Sequence, residues 1–194
     1  MDALKLGKSR LINMLVKLPG INMESRLRRL FHDPAKLLNG ADIRPGQTVL
    51  EVGCGTGFFT LTAAEIIGET GHLIALDPVS DYVERVNEKV RKVGLRNVEV
   101  VRRDALATGL QAESVDVVLL YGVLPFPTLP LDRLLPEMRR VLKPGGTLAV
   151  WLFPTTCGVP RRILRSGLFT DRGRKEGVFR YQRSEQPGQR QNGT

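Results

Sequence analysis

Three glycines at alternate positions sit in a stretch whose spacing suits ligand chemistry. Glu51-Val52-Gly53-Cys54-Gly55-Thr56-Gly57 follows a β-branched run, Thr48 to Val52, and opens a helical stretch from Phe58 to Ile67. Glycines so spaced allow a turn tight enough for a ligand to lie against backbone. The helix start behind them offers N–H groups to a negative group such as a carboxylate. A dinucleotide fingerprint would carry glycine where this chain has Phe58, which weakens a nicotinamide reading. Asp77 closes a second strand, twenty residues after Gly57, where an acid accepts hydrogen bonds from ribose hydroxyls. Asp104 closes a third strand in Arg103-Asp104-Ala105, where an acid can accept from an adenine amino group.

The elements that must position these residues alternate. His72 to Leu76 reads as a strand and Ser80 to Val93 as a helix ended by Gly94. Val98 to Val101 is a strand, and Val115 to Leu120 is an apolar run suited to a strand buried on both faces. Leu131 to Leu142 is a helix closed by Lys143-Pro144-Gly145-Gly146, and Thr147 to Phe153 is the fifth strand. Such alternation predicts right-handed crossovers and a parallel sheet. Upstream, Asp33-Pro34 reads as an N-cap with proline at the first helical position, opening Ala35 to Leu38, with Asn39-Gly40 closing it. Downstream, Arg161 to Ser166 reads as a helix, and Phe169 to Asp171 with Val178 to Tyr181 as a hairpin.

Charge is distributed unevenly around this core. The net charge is +9, yet residues 41–154 carry two more acids than bases, whereas 1–40 and 155–194 carry +5 and +6. Basic flanks suggest an anionic partner such as a membrane surface, nucleic acid or acidic metabolite, or else a solvated basic surface. Leu4, Leu11, Met14, Leu15 and Leu18 line one side of a short basic amphipathic helix stopped by Pro19-Gly20. That helix either packs on the sheet as a cap or lies on an anionic membrane. Two cysteines fit a reducing compartment rather than a disulfide scaffold. The longest apolar run, Val117 to Leu124, is far short of the ~20 residues a membrane span needs. No signal peptide is read, so the expected location is cytoplasmic, with a membrane-peripheral alternative.

Taken together, the Glu51–Gly57 loop, Asp77-Pro78, Asp104-Ala105 and the run Arg139 to Gly146 resemble the class I S-adenosylmethionine-dependent methyltransferases. The resemblance is to the small members that include ubiquinone/menaquinone-type and arsenite-type enzymes, and it covers roughly residues 35 to 155. It implies an α/β, Rossmann-like fold with a seven-stranded, mostly parallel sheet, helices on both faces and the last strand antiparallel. Residues 1–40 would form an N-terminal helical cap, 41–183 the cofactor-binding domain and 184–194 a disordered tail. It further implies S-adenosylmethionine as cofactor. Gly53, Cys54, Gly55 and Gly57 would lie beside the methionine part, with Glu51 supporting the loop and Phe58 also at the cofactor. Asp77 and Pro78 would hold the ribose, and Asp104 and Ala105 the adenine. Tyr121 and Gly122 would border the sulfonium.

Two catalytic candidates remain, Tyr121 and His32, the latter because the segment before the first strand often folds over the cofactor in this fold. Cys54 reads as a small residue tolerated in the loop rather than a nucleophile. Cys157 has no evident His partner, and His32 and His72 are too few for a metal site. Trp151 and Phe153 read as core, and Asp116 as a cap or ion pair at the strand end away from the ligand crevice. The Asn/Asp-Pro-Pro-aromatic tetrad of amide- and adenine-amino methylators is absent after the fourth strand. So are a Pro-Cys nucleophile, a third cysteine for arsenite and a His-His pair. The reading is methyl transfer to a small or lipid-like acceptor by in-line displacement, the nucleophile being an amine, thiol or stabilised carbanion. RNA or protein methylation stays open, as do a nicotinamide-dependent dehydrogenase and a non-catalytic binding module.

Overall fold

The computed structural model describes residues 33–125, 128–152 and 158–185. Helix α1 (Pro34–Ala41) starts as its sequence dictates. Asp33 is extended, its Oδ1 accepts the Ala35 N–H at 2.9 Å, and Pro34 occupies the first turn. Asn39-Gly40 does not end it, however. The chain turns at Asp42, in the left-handed region at φ 59°, with its N–H on the Asn39 carbonyl. The boundary drawn after residue 40 therefore falls inside α1. The amphipathic stretch from Leu4 to Leu18, His32 and Cys157 lie outside the described residues, as does the tail beyond Glu185.

The elements that follow are β1 (Thr48–Val52), α2 (Thr60–Ile67), β2 (His72–Asp77), α3 (Ser80–Val93), β3 (Val98–Arg102) and β4 (Val115–Tyr121). Then come α4 (Leu131–Val141), β5 (Leu142–Trp151), α5 (Val159–Arg165), β6 (Phe169–Lys175) and β7 (Val178–Arg183). They form one seven-stranded sheet in the order β3-β2-β1-β4-β5-β7-β6. Pairing is parallel from β3 to β5, and β7 runs antiparallel to both β5 and β6. The expected α/β architecture and strand count are what the structure shows.

Side chains sort onto two faces by the strand period of two. Leu50, Ile74, Val118, Leu148 and Tyr181 pack beneath α4 and α5. Val49, Leu73, Val117, Leu119 and Ala149 pack beneath α1 and α2, and Ala75 packs beneath α3. Leu50, Leu119 and Leu148 are fully buried, and each such side chain contributes roughly 1.5–3 kcal/mol.

Other element ends also differ from expectation. Helix α2 starts at Thr60 rather than Phe58, because the turn runs on through Gly57, at φ 82° with its N–H on the Cys54 carbonyl. Lys143 to Gly146 lie within β5 rather than closing α4, and the β4–β5 register shifts there, from Val115 opposite Leu142 to Val117 opposite Thr147. The final hairpin is longer than predicted, leaving only Glu176-Gly177 as its turn. Its edge strand carries a bulge, since Arg172 and Gly173 together oppose Arg180.

No helix covers residues 103–114, and this crossover is tied down by side chains. Glu137 accepts the Thr108 N–H at 2.9 Å and the Thr108 hydroxyl at 2.6 Å, while the Arg140 guanidinium donates to both its oxygens at 2.7 Å. Arg140 also reaches the Leu110 carbonyl at 2.9 Å. The Arg140 hydrogen bonds draw the Glu137 carboxyl down to about 2. Asp116, at the opposite end of the sheet from the glycine loop, accepts the Thr48 N–H and pairs with Lys143, both at 2.8 Å.

Candidate active site

The glycine loop leaves the carboxyl end of β1, the strand from which the order runs outward in both directions, to β2 and to β4. In open α/β sheets that switch point is where ligands bind. The loop is stitched to β2 by the Gly53 and Cys54 N–H groups, which donate to the Leu76 carbonyl at 2.7 and 3.1 Å. Gly53 is at φ 73°, and a Cβ there would lie 2.5 Å from Val123 Cγ1. Only glycine satisfies both the turn and the close approach. At Gly55, φ 52°, a Cβ would meet nothing within 4 Å.

Asp77 is the anchor of the arrangement. Its Oδ2 accepts the Gly55 N–H at 3.0 Å and its Oδ1 the Val79 N–H at 2.9 Å, so one carboxylate holds the loop and the start of α3. Burial raises its carboxyl to about 6, partly offset by those N–H groups. Glu51, at the end of β1, is buried and accepts the Thr60 hydroxyl at 2.7 Å, tying the strand to the helix beyond the loop. Burial, opposed by that hydrogen bond and reinforced by the Asp77 charge, pushes Glu51 up to about 8. From α3, Lys89 Nζ reaches the Thr56 carbonyl at 2.8 Å.

The remaining loop residues have plain roles. Burial drives the Cys54 thiol far above its ordinary range, which leaves no thiolate for nucleophilic attack. Phe58 is half-buried and meets Phe59 edge to face at 4.9 Å. Pro78 follows Asp77, and its carbonyl accepts Arg102 Nε at 3.1 Å. At the end of β3, Asp104 Oδ1 accepts the Leu106 N–H at 2.9 Å, while Ala105 is buried. At the end of β4, the Gly122 N–H donates to the Trp151 carbonyl at 3.0 Å.

The hydroxyl of Tyr121, one of the two catalytic candidates, is engaged by backbone. The residue is 5% exposed and its hydroxyl donates to the Leu37 carbonyl of α1 at 2.8 Å. Its ring meets Phe59 edge to face at 5.0 Å, and Trp151 lies 6.5 Å away. Tyr121 thus fastens α1 to the sheet, and burial raises its phenol well above the ordinary value. His72 is exposed and sits 3.3 Å from Glu99. Thr60, Lys89 and Val123 were not singled out from sequence. Thr60 alone had a signal, as a hydroxyl at the first turn of the helix that follows the loop.

These positions fit an adenosyl ligand with an amino-acid tail. A carboxylate stands at the end of β2 and a second acid at the end of β3. The Gly55 backbone has open space before it, and the first turn of α2 has no side-chain cap. Comparison with known proteins decides the family. Residues 49–146 match the methyltransferase-domain family. The chain belongs to the class I S-adenosylmethionine-dependent methyltransferases. It is similar to the demethylmenaquinone methyltransferase of Listeria welshimeri, 37% identical over 108 residues, or 55% of this chain and 45% of that one. The chain thus spans about half the length of the curated relatives it matches. It also resembles the crystal structure of a SAM-dependent methyltransferase from Aquifex aeolicus. There the TM-score is 0.67 and the identity 27%, over 83% of this chain and 94% of that one. The [4+2]-cyclase SpnF is a further neighbour, at TM-score 0.55 and 27% identity over 60% of this chain and 42% of that one.

Proposed function

We propose that this methyltransferase-family chain transfers a methyl group to a small or lipid-like acceptor. The observation that supports this most directly is Asp77. It closes β2, holds Gly55 of the loop through one oxygen, and keeps lone pairs on both oxygens for ribose hydroxyls. S-adenosylmethionine supplies, when bound, an electrophilic methyl on a sulfonium whose departing thioether is neutral. The chain's own residues then have mainly to position and to exclude water. Glu51, through Thr60, holds the loop against α2, and the Asp104 turn holds the end of β3. Tyr121 and Trp151 seal the floor beneath α1. With the Tyr121 hydroxyl engaged, the reading favours an amine, thiol or stabilised carbanion, which needs no strong base.

The likeness to a demethylmenaquinone methyltransferase supports a lipid-like acceptor. With that acceptor goes the proposal that the basic stretch 1–30 brings the chain to an anionic membrane surface, in a cytoplasmic setting. We take the residues up to the end of α1 as the cap, those from there to Arg183 as the cofactor-binding domain and 184–194 as a tail.

The test is transfer of labelled methyl from S-adenosylmethionine into an extract of the source cells, followed by separation into lipid, small-molecule, RNA and protein fractions. Label in the lipid or small-molecule fraction, abolished by Asp77→Ala, is the expected result. Label in RNA or protein would move the acceptor to that class. Tight cofactor binding with no label in any fraction would overturn methyl transfer. It would favour instead a reaction of another kind on this scaffold, for which the similarity to the cyclase SpnF is the supporting observation.

A further inference from the structure

A recess lies at the other end of the sheet from the glycine loop, on the face that α1 covers. It encloses about 320 Å³ between the α1–β1 connection, the start of β5 and the final hairpin. Three arginines line it: Arg44 from the connection, Arg172 from β6 and Arg180 from β7. Asp42, Gln47 and Thr147 also line it. Three guanidiniums against one carboxylate leave two net positive charges around a small volume, and like charges so grouped repel unless an anion joins them.

The hairpin is shaped to bring two of these arginines together. The bulge sets Arg172 and Gly173 opposite Arg180, with Gly173 at φ 80° and its N–H on Asp171 Oδ1 at 2.8 Å. Bulges re-aim side chains in this way. Arg180 Nη2 donates to the Arg172 carbonyl at 3.2 Å, and Arg172 donates to the Gln182 side chain. Arg180 Nε is buried, with no acceptor among the described residues. A buried guanidinium donor without an acceptor is costly, and a water or an ion in the recess would satisfy it. On the opposite wall, Asp42 is already engaged by Arg44 at 2.8 Å, with Lys175 at 4.0 Å, so it does not neutralise Arg172 or Arg180. The Gln47 amide oxygen accepts the Arg44 N–H at 2.7 Å, which leaves its NH₂ as a further donor.

We infer that this recess binds a doubly charged oxyanion, a phosphate or phosphomonoester, through the forks of Arg172, Arg180 and Arg44. Guanidinium matches phosphate in bidentate geometry, and a dianion balances the two net charges. The phosphate belongs either to a soluble molecule or to a lipid headgroup. It lies apart from the glycine loop and from Asp77, so this inference does not depend on the methyl acceptor.

The experiment is titration of the full chain with inorganic phosphate by calorimetry, at a constant ionic strength near that of the cell so that diffuse charge is screened. The expected result is saturable binding at one site. Arg180→Gln, and independently the exposed Arg172→Gln, weaken it by at least about tenfold, the effect of losing hydrogen bonds to a charged group. Arg91→Gln, an exposed arginine of α3, leaves it unchanged, as does S-adenosylmethionine. Absence of saturable binding, or equal weakening by Arg91→Gln, overturns the inference. A second arm distinguishes the sources with phosphatidylcholine vesicles containing phosphatidic acid. Co-sedimentation lost in Arg180→Gln and Arg172→Gln assigns the site to a headgroup. Phosphate binding without co-sedimentation assigns it to a soluble phosphomonoester.

Discussion

Replacing Glu51 by Gln removes the ionisation of the most buried acid at the site and keeps its shape. The Thr60 hydroxyl, 2.7 Å from Glu51 Oε2, can donate equally to the amide oxygen. In the native chain the carboxyl titrates at about 8, against 4.5 when unfolded. Between those values the native state holds a proton that the unfolded state has lost. Stability therefore falls as pH rises through this window, by roughly 1.4 kcal/mol per pH unit. Below the unfolded value both states are protonated, and above pH 8 both are ionised, so the slope vanishes at either end. Over the whole window the change is roughly 4–5 kcal/mol, a large part of a domain's net stability. The side-chain amide in Glu51→Gln does not titrate and has no such slope. Asp77 has its own window, from 3.8 to about 6, but it is common to both chains and largely cancels from their difference. Urea unfolding of both proteins at pH 5, 6, 7, 8 and 9 measures that difference. The stability of the native chain minus that of Glu51→Gln should drop by about 4 kcal/mol from pH 5 to 8 and then level off. A difference constant to within about 1 kcal/mol across the range would mean that Glu51 is ionised in the folded state. The account of a buried neutral acid bracing the loop would then be wrong.

Tyr121→Phe deprives the Leu37 carbonyl of its donor and should lower stability by about 1–3 kcal/mol in denaturant melts. Turnover per folded molecule should stay within about twofold, and a large loss of turnover at unchanged stability would return the hydroxyl to the chemistry. Gly55→Ala should cost only the left-handed backbone penalty of roughly 1–2 kcal/mol. Gly53→Ala adds a 2.5 Å clash with Val123 and should melt distinctly lower in a thermal scan; equal melting would refute the close approach. Glu137→Ala breaks the clamp on residues 103–114 and should lower stability by about 2 kcal/mol at pH 7. Because the Glu137 carboxyl is held down, its contribution is present above pH 4.5 and disappears as pH falls toward 2. The gap between the native chain and Glu137→Ala should therefore close in acid.

Much of the fold was legible because its signals are local. Asp33-Pro34 announces a helix start, and the apolar run ending at Leu120 announces a strand covered on both faces. The spacing from Gly57 to Asp77 places an acid at the end of the next strand. Two misplaced ends share one cause, long-range pairing that overrode a turn signal. Asn39-Gly40 stayed helical because α1 is held to the sheet, where a Cβ on Gly40 would meet the Lys175 carbonyl at 2.7 Å. Lys143 to Gly146 were drawn into β5 by β4.

The order of glycines and acids, read along the chain, carries the resemblance that implies the cofactor class, because those residues act through backbone geometry and strand ends, which follow from neighbours in sequence. Which side chains remain chemically available does not follow in that way. Tyr121 looked free until α1 brought the Leu37 carbonyl, 84 residues distant, to its hydroxyl. Glu51 and Asp77 look like ordinary acids until the sheet excludes water from them, and desolvation depends on everything packed around a group. Arg44, Arg172 and Arg180 are scattered surface charges in the sequence. They become one recess only when the hairpin closes the edge of the sheet beside the α1–β1 connection.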